Sequence, residues 1–187
     1  MSERARRALP AALLASLLLA LAARSAQHGP MLLDRFDTGD PILDWYVLND
    51  GVMGGRSAGG FRLEAGALVF AGVTNTDGGG FSSIRTRPRR LDLGGRRVLV
   101  VRGRGDGRSY VFRLETDDGT AYWADFDPPA DAVSETRIPL DRFRPRFRGR
   151  WLAGPPLDPA RVTSLGVLCY DGRDGPFRLE LHRIEAA

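Results

Sequence analysis

For nucleophilic or metal chemistry the sequence offers two histidines and one cysteine, so most other chemistry must come from carboxylates and arginines. His28 stands at the end of an N-terminal segment, and His182 falls on the outward side of a late strand. Neither has an evident partner for a Ser-His-Asp or Cys-His relay or for a His/Cys metal site. Cys169, the lone cysteine, lies in an apolar run and reads as a buried, inert thiol. Carboxylates are more numerous. Asp50, Asp77, Asp117, Asp118, Asp125, Asp127, Asp171 and Asp174 nearly all fall beside glycine. Loop oxygens of this kind can hold Ca²⁺, yet Asp-Gly is first of all turn chemistry. Asp125 and Glu115 would face outward from adjacent strands as a glycosidase-type pair, which is also where any solvated face carries its acids. No catalytic residue, metal ligand or cofactor is assigned.

Arginine makes the strongest charge pattern. Arg142, Arg144, Arg146, Arg148 and Arg150 alternate with Phe, Pro or Gly. In an extended chain they project to one side, a stripe able to meet carboxylate or phosphate groups in a two-pronged fashion, while Phe143 and Phe147 point into the core. The competing reading is a solvated edge strand kept from aggregating by its charge. Arg85, Arg87, Arg89 and Arg90 form a second cluster. A nucleic-acid surface needs stacking aromatics on the same face as its arginines; the alternation denies that, and no nucleic-acid partner is expected. Trp123 faces outward if Tyr122 faces inward. With Arg113 and the loop Asn49 to Arg56 it could line a sugar site, an aromatic face beside planar polar groups. A register shift of one residue would reverse that assignment.

The least generic stretch is Trp45 to Ser57. It begins with aromatic and β-branched residues suited to a strand, then breaks at Asn49-Asp50-Gly51, residues that favour turns. Five glycines fall between Gly51 and Gly60. Met53 and Arg56 are the bulky groups in that pliable run, which is either a tight corner or a recognition loop.

The elements around these residues are short strands. Leu32, Leu33 and Phe36 suit a first strand, and Glu64-Ala65-Gly66 joins two more as a hairpin. Val98 to Val101 is an unbroken apolar run suited to a strand covered on both faces. Tyr110, Phe112 and Leu114 share one face, as do Tyr122, Ala124 and Phe126 across the Asp117-Asp118-Gly119 turn, the clearest hairpin in the chain. Pro139 places its strand at an edge or ends it. Leu165, Val167 and Cys169, and then Phe177, Leu179 and Leu181, make inward rows in the last two strands. No helical periodicity follows Ala23. Roughly ten strands with regularly spaced turns predict an all-β, antiparallel sandwich.

At 187 residues, with 43% apolar and 27% charged, the chain suits one core. The net charge of +4 is concentrated in residues 1–26, which contribute +3, so the remainder is close to neutral. That segment carries Arg4, Arg6 and Arg7 before the uncharged run Ala8 to Ala23 and small residues, the layout of a signal peptide or an N-terminal anchor. It predicts a protein exported to the periplasm or the extracellular space, tethered to a membrane only if this segment is not cleaved. Residues 27–187 are then a single β-sandwich domain.

The run Asn49-Asp50-Gly51-Val52-Met53-Gly54-Gly55-Arg56-Ser57 resembles the signature of the CIA30 family, the complex I intermediate-associated protein 30 domain. Gly79 to Ser83, Thr116 to Gly119, Phe147 to Arg150, Pro155 to Pro159 and Gly175 to Glu180 match in the family's order. The resemblance implies a galactose-binding-like jelly roll. It also implies a non-catalytic, chaperone-like role in assembling respiratory complex I through protein partners, without a cofactor. It marks Asn49, Asp50, Gly51, Met53, Gly54, Gly55, Arg56 and Ser57 as the binding motif, and Arg113, Trp123, Arg144, Arg146 and Arg148 add a surface patch. The rival reading is an envelope carbohydrate-binding module with a glycan ligand.

Overall fold

Alternation of side chains decides the architecture. In the computed structural model, which describes residues 29–187, thirteen strands and three short 3₁₀ turns follow one another. The first five strands are β1 (Met31–Arg35), β2 (Trp45–Asn49), β3 (Ala58–Glu64), β4 (Ala67–Thr74) and β5 (Ser82–Thr86). Next come β6 (Val98–Arg104), β7 (Tyr110–Thr116), β8 (Ala121–Phe126) and β9 (Ser134–Pro139). The last four are β10 (Arg144–Phe147), β11 (Arg150–Trp151), β12 (Val162–Cys169) and β13 (Gly175–Ala186). The N-terminal segment read above as a signal lies outside the described residues.

The strands form two antiparallel sheets. The six-stranded sheet runs β3-β4-β13-β6-β9, with β1 also paired to β13, and the seven-stranded sheet runs β11-β10-β8-β7-β12-β5-β2. Between them lies one core. Tyr110, Phe112, Leu114, Leu165, Val167 and Cys169 come from the seven-stranded side, Leu68, Phe70, Leu179, Leu181 and Ile184 from the other, and all are buried. Burial pushes the Cys169 thiol up to about 12, which keeps it protonated and inert. The β7–β8 hairpin pairs as expected, with Phe112 opposite Ala124. β9 ends at Pro139 on the edge of its sheet. The β3–β4 loop is Ala65-Gly66, both at positive φ (51° and 77°), the conformation a two-residue hairpin needs.

Two buried polar hubs fasten the loops to this sandwich. Asp34 on β1 accepts from the backbone N–H of Arg35, Ile42 and Leu43 and from the Trp45 indole at 2.7 Å, so the connection between β1 and β2 wraps around one carboxylate. Arg108, just before β7, grips Asp171 with Nε at 3.0 Å and Nη2 at 2.5 Å, and also donates to the carbonyls of Arg173, Gly175 and Pro176. Arg108 thereby locks the β12–β13 turn to the seven-stranded sheet.

The arginine stripe holds for only part of its length. β10 covers Arg144–Phe147, after which Arg148 (φ 46°) and Gly149 (φ 77°) turn the chain into β11. Arg142 belongs to a 3₁₀ turn. Phe143 is buried as expected, but Phe147 is 56% exposed and not in the core. It is the last residue of β10, immediately before the Arg148-Gly149 turn.

Candidate functional site

The outer face of the seven-stranded sheet carries a row of residues in register from strand to strand. Tyr46 (β2) opposes Arg85 (β5), which opposes Gly166 (β12); then follow Arg113 (β7), Trp123 (β8) and Arg144 (β10). Gly166 is the reason two guanidinium stems can lie side by side. A Cβ there would stand 3.2 Å from Arg85 Cγ and 3.5 Å from Arg113 Cβ. One layer away Val111 and Leu168 join Trp123 in a small apolar cluster of their own, with Phe81, Ala121 and Tyr170 packed against it. These residues floor a groove of about 490 Å³, walled on one side by Phe147, Arg148 and Leu152 and on the other by Val52 and Met53.

Electrostatics inside the groove are lopsided. Arg113 is buried and paired with Glu115. Arg85 has no such partner among the described residues; its Nε is buried without a hydrogen bond, and burial, reinforced by Arg113, pulls its pKa down to about 10. The Trp123 indole N–H is likewise buried without an acceptor. Asp118, the acid among the groove residues, is committed to the Thr116 hydroxyl (2.7 Å), the Thr120 N–H (3.0 Å) and Arg161 (3.1 Å).

Arg146 holds the wall in place. Its guanidinium carbon lies 4.6 Å from the centroid of Trp123, 4.5 Å from that of Trp151 and 5.2 Å from that of Tyr170, a three-ring cage that ties the β10–β11 hairpin to β8. Replacing Arg146 by Ala removes these contacts and is expected to cost about 1–2 kcal/mol, read as a lower denaturant midpoint, with Arg146→Lys intermediate.

The opposite rim is the Gly-rich run. β2 ends at Asn49, whose side chain donates to Gly59 O (3.0 Å) and accepts from the Ser82 hydroxyl (2.6 Å). A 3₁₀ turn, Asp50–Met53, follows and closes on Gly54 at φ 85°. The Asp50 carboxylate is fully buried and accepts four hydrogen bonds: Ser57 N–H (2.9 Å), Ser57 Oγ–H (2.6 Å), Gly80 N–H (2.7 Å) and Phe81 N–H (3.1 Å). A Cβ on Gly55 or Gly79 would collide with that carboxylate, whereas one on Gly51 would meet nothing. Val52 and Met53 are left on the crest, 69% and 55% exposed.

Burial alone would raise the pKa of Asp50, but the Ser57 hydroxyl and three N–H donors outweigh it and hold the carboxyl below the ordinary range. Asp171, also buried, is held down by Arg108, and Glu180 by Arg104. A carboxylate depressed on folding adds stability above its unfolded pKa, and loses that contribution as pH falls through the folded value. The melting temperature is therefore expected to be level near neutrality and to drop steeply below about pH 4, as a thermal scan from pH 7 to pH 3 would show.

The motif and the patch thus meet in space, but not in the roles expected. Met53, Arg113, Trp123, Arg146 and Arg148 all line the groove. Arg144 lies on the same face, outside that lining, in a shallow cleft with Trp151 and Pro155. Asn49, Asp50 and Ser57 face inward as scaffold rather than outward as a recognition surface: the buried Asp50 carboxylate takes both Ser57 donors, and Asn49 is spent on Gly59 O and the Ser82 hydroxyl. Arg56 is outside the groove, in an exposed 2.8 Å ion pair with Asp77. Trp123 faces outward as expected but is only 9% exposed, covered by Arg146 and by Tyr170 edge-on at 5.8 Å, so its face is not an open platform for a sugar ring. Asp125 stands opposite Val111 and Glu115 opposite Ala121, four residues apart along the strands. That is roughly 13 Å, too far for a glycosidase pair. In the sequence Arg85 stands out only within a second arginine cluster, and Tyr170 and Trp151 are not singled out; the place of Arg85 beside Arg113 needs the β5–β12–β7 pairing.

Residues 35–181 match the family described as Complex I intermediate-associated protein 30 (CIA30). A Drosophila melanogaster protein named "Complex I intermediate-associated protein 30, mitochondrial" is 31% identical over 176 residues, an alignment covering 78% of this chain and 59% of that protein. The chain thus spans less than two thirds of that relative's length. Among solved structures, the family 11 carbohydrate-binding module of the Clostridium thermocellum cellulase Lic26A-Cel5E superposes with a TM-score of 0.63 at 17% identity, over 86% of this chain and 95% of the module. A family 29 carbohydrate-binding module gives 0.52 at 12%, over 86% and 92%. These likenesses show the fold alone, a galactose-binding-like jelly roll. The relative's mitochondrial designation overturns the expectation of export to the periplasm or the extracellular space. Four arginines against one acid in residues 1–26 is a composition that mitochondrial presequences share. No helix among the described residues is long and apolar enough to cross a membrane.

Proposed function

The chain belongs to the complex I intermediate-associated protein 30 family, and from that membership we propose that it is a complex I assembly factor that works by docking a protein partner in the groove of its seven-stranded sheet. The observation that carries this reading is the placement of the family motif. Its polar residues build a rigid corner, and the corner sets two exposed apolar side chains, Val52 and Met53, on the rim of a basic and aromatic groove. Apolar side chains held in the open beside arginine and aromatic groups have the composition that interfaces favour. The role is non-catalytic on this reading: Asp50, Asp118 and Asp171 are spent on internal hydrogen bonds.

Capture from the native host tests it. The tagged chain is expected to co-purify with complex I subunits. Changing Met53 to Asp should cut that recovery at least tenfold, while Val73→Asp, at a 52% exposed apolar position on the other sheet, leaves it unchanged. Recovery of no complex I subunit by the unaltered chain, or equal recovery by the Met53 variant, would refute the reading.

A further inference from the structure

The docking reading leaves the partner's chemistry open, and the groove floor narrows it. Arg85, Arg113, Arg146 and Arg148 line the groove against Asp118, which is already bound. Arg113 is answered by Glu115 and Arg146 by its aromatic cage. Arg85 is answered by neither, and a buried guanidinium N–H without an acceptor is costly to keep. The second unmatched donor of the floor is the Trp123 indole N–H. Arg85 and Trp123 stand in the same register row, separated by Gly166 and Arg113. Three strand spacings put their backbones roughly 14 Å apart. A lone ion cannot meet both ends of that row, whereas an extended segment of about four residues does.

Resting on the docking reading, we propose that the groove seats an acidic segment of the partner protein, a carboxylate on Arg85 and a further acceptor toward Trp123, with an apolar side chain of the segment against Phe81, Tyr170 and Met53. The charge of the lining selects an anion, and Arg85, a planar fork, suits a carboxylate. The ring faces select against nucleic acid and neutral glycan. Arg146 covers a face of Trp123 and of Trp151, and Trp123 is otherwise buried, so its ring is not a stacking platform for a base or a pyranose.

The test uses the full chain, labelled with nitrogen-15, and two blocked tetrapeptides, Asp-Phe-Leu-Glu and its amide isostere Asn-Phe-Leu-Gln. The acidic peptide is expected to shift the Trp123 indole and Arg85 Nε–H resonances saturably. The Trp45 indole, held by Asp34, should stay in place. The isostere should bind at least tenfold more weakly, Arg85→Gln should lose tenfold or more, and Arg85→Lys should fall between. Equal binding of both peptides, an unaffected Arg85→Gln variant, no shift at all, or tighter binding of inorganic phosphate, a single-stranded oligonucleotide or a mixed-linkage glucan tetrasaccharide each overturns the acidic-segment assignment. Capture of complex I subunits separates the two readings. Recovery by the Arg85→Gln chain equal to the unaltered chain leaves docking standing and removes the anion seat, whereas no recovery by the unaltered chain removes docking itself.

Discussion

Replacing Asp50 by Ala should cost about 3–5 kcal/mol, enough to unfold much of a domain of ordinary stability. The size follows from what is left behind. Four donors now meet the carboxylate: the Ser57 N–H and hydroxyl, and the N–H groups of Gly80 and Phe81. With Ala they stay buried, and each unsatisfied polar group is worth about 1–3 kcal/mol, less than additively because the loop relaxes. Asp50→Asn keeps the shape but turns an NH₂ toward donors, for a loss of about 2 kcal/mol. Ser57→Ala removes the hydroxyl alone and should cost about 1 kcal/mol. Denaturant unfolding of the three variants checks the ranking. Crest residues give the contrast: Met53→Ala, at an exposed site, should change stability by less than about 0.5 kcal/mol.

Arg108→Ala should be of comparable size, about 3–5 kcal/mol, because it strands Asp171 as a buried charge and leaves three carbonyls unmatched. Asp171→Ala should cost as much from the other side. The double variant Arg108→Met with Asp171→Leu should lose less than the sum of the two singles, since it removes both charges together. A double-mutant cycle by urea titration measures that coupling. Additive losses would show that the pair does not act as a unit.

How much of this was readable beforehand varies with how local the signal is. The β7–β8 hairpin was legible because alternation and its turn lie within one stretch, Tyr110 to Phe126, and the structure pairs it in that register. The same rule failed at Phe147. Parity put the ring in the core, but parity carries no information about where a strand ends, and the Arg148-Gly149 turn ends β10 there. In the motif, glycine content signalled a special backbone without saying what it served. The close approach of Gly55 and Gly79 to one carboxylate joins residues 29 or more positions from Asp50 to its own loop, a long-range contact with no local mark. The groove is of the same kind. Arg113 and Trp123 were picked from one hairpin, whereas Arg85 reaches them only through Gly166, a small residue whose meaning appears once β5, β12 and β7 are side by side.

The measurement that bears most directly on the docking account is site-specific photocrosslinking in the native host, with the photoreactive amino acid placed once at position 53 and once at position 73. The account predicts adducts to complex I subunits from position 53, on the groove rim, and none from position 73, on the far sheet. Adducts from position 73 alone, or equal adducts from both, would contradict it.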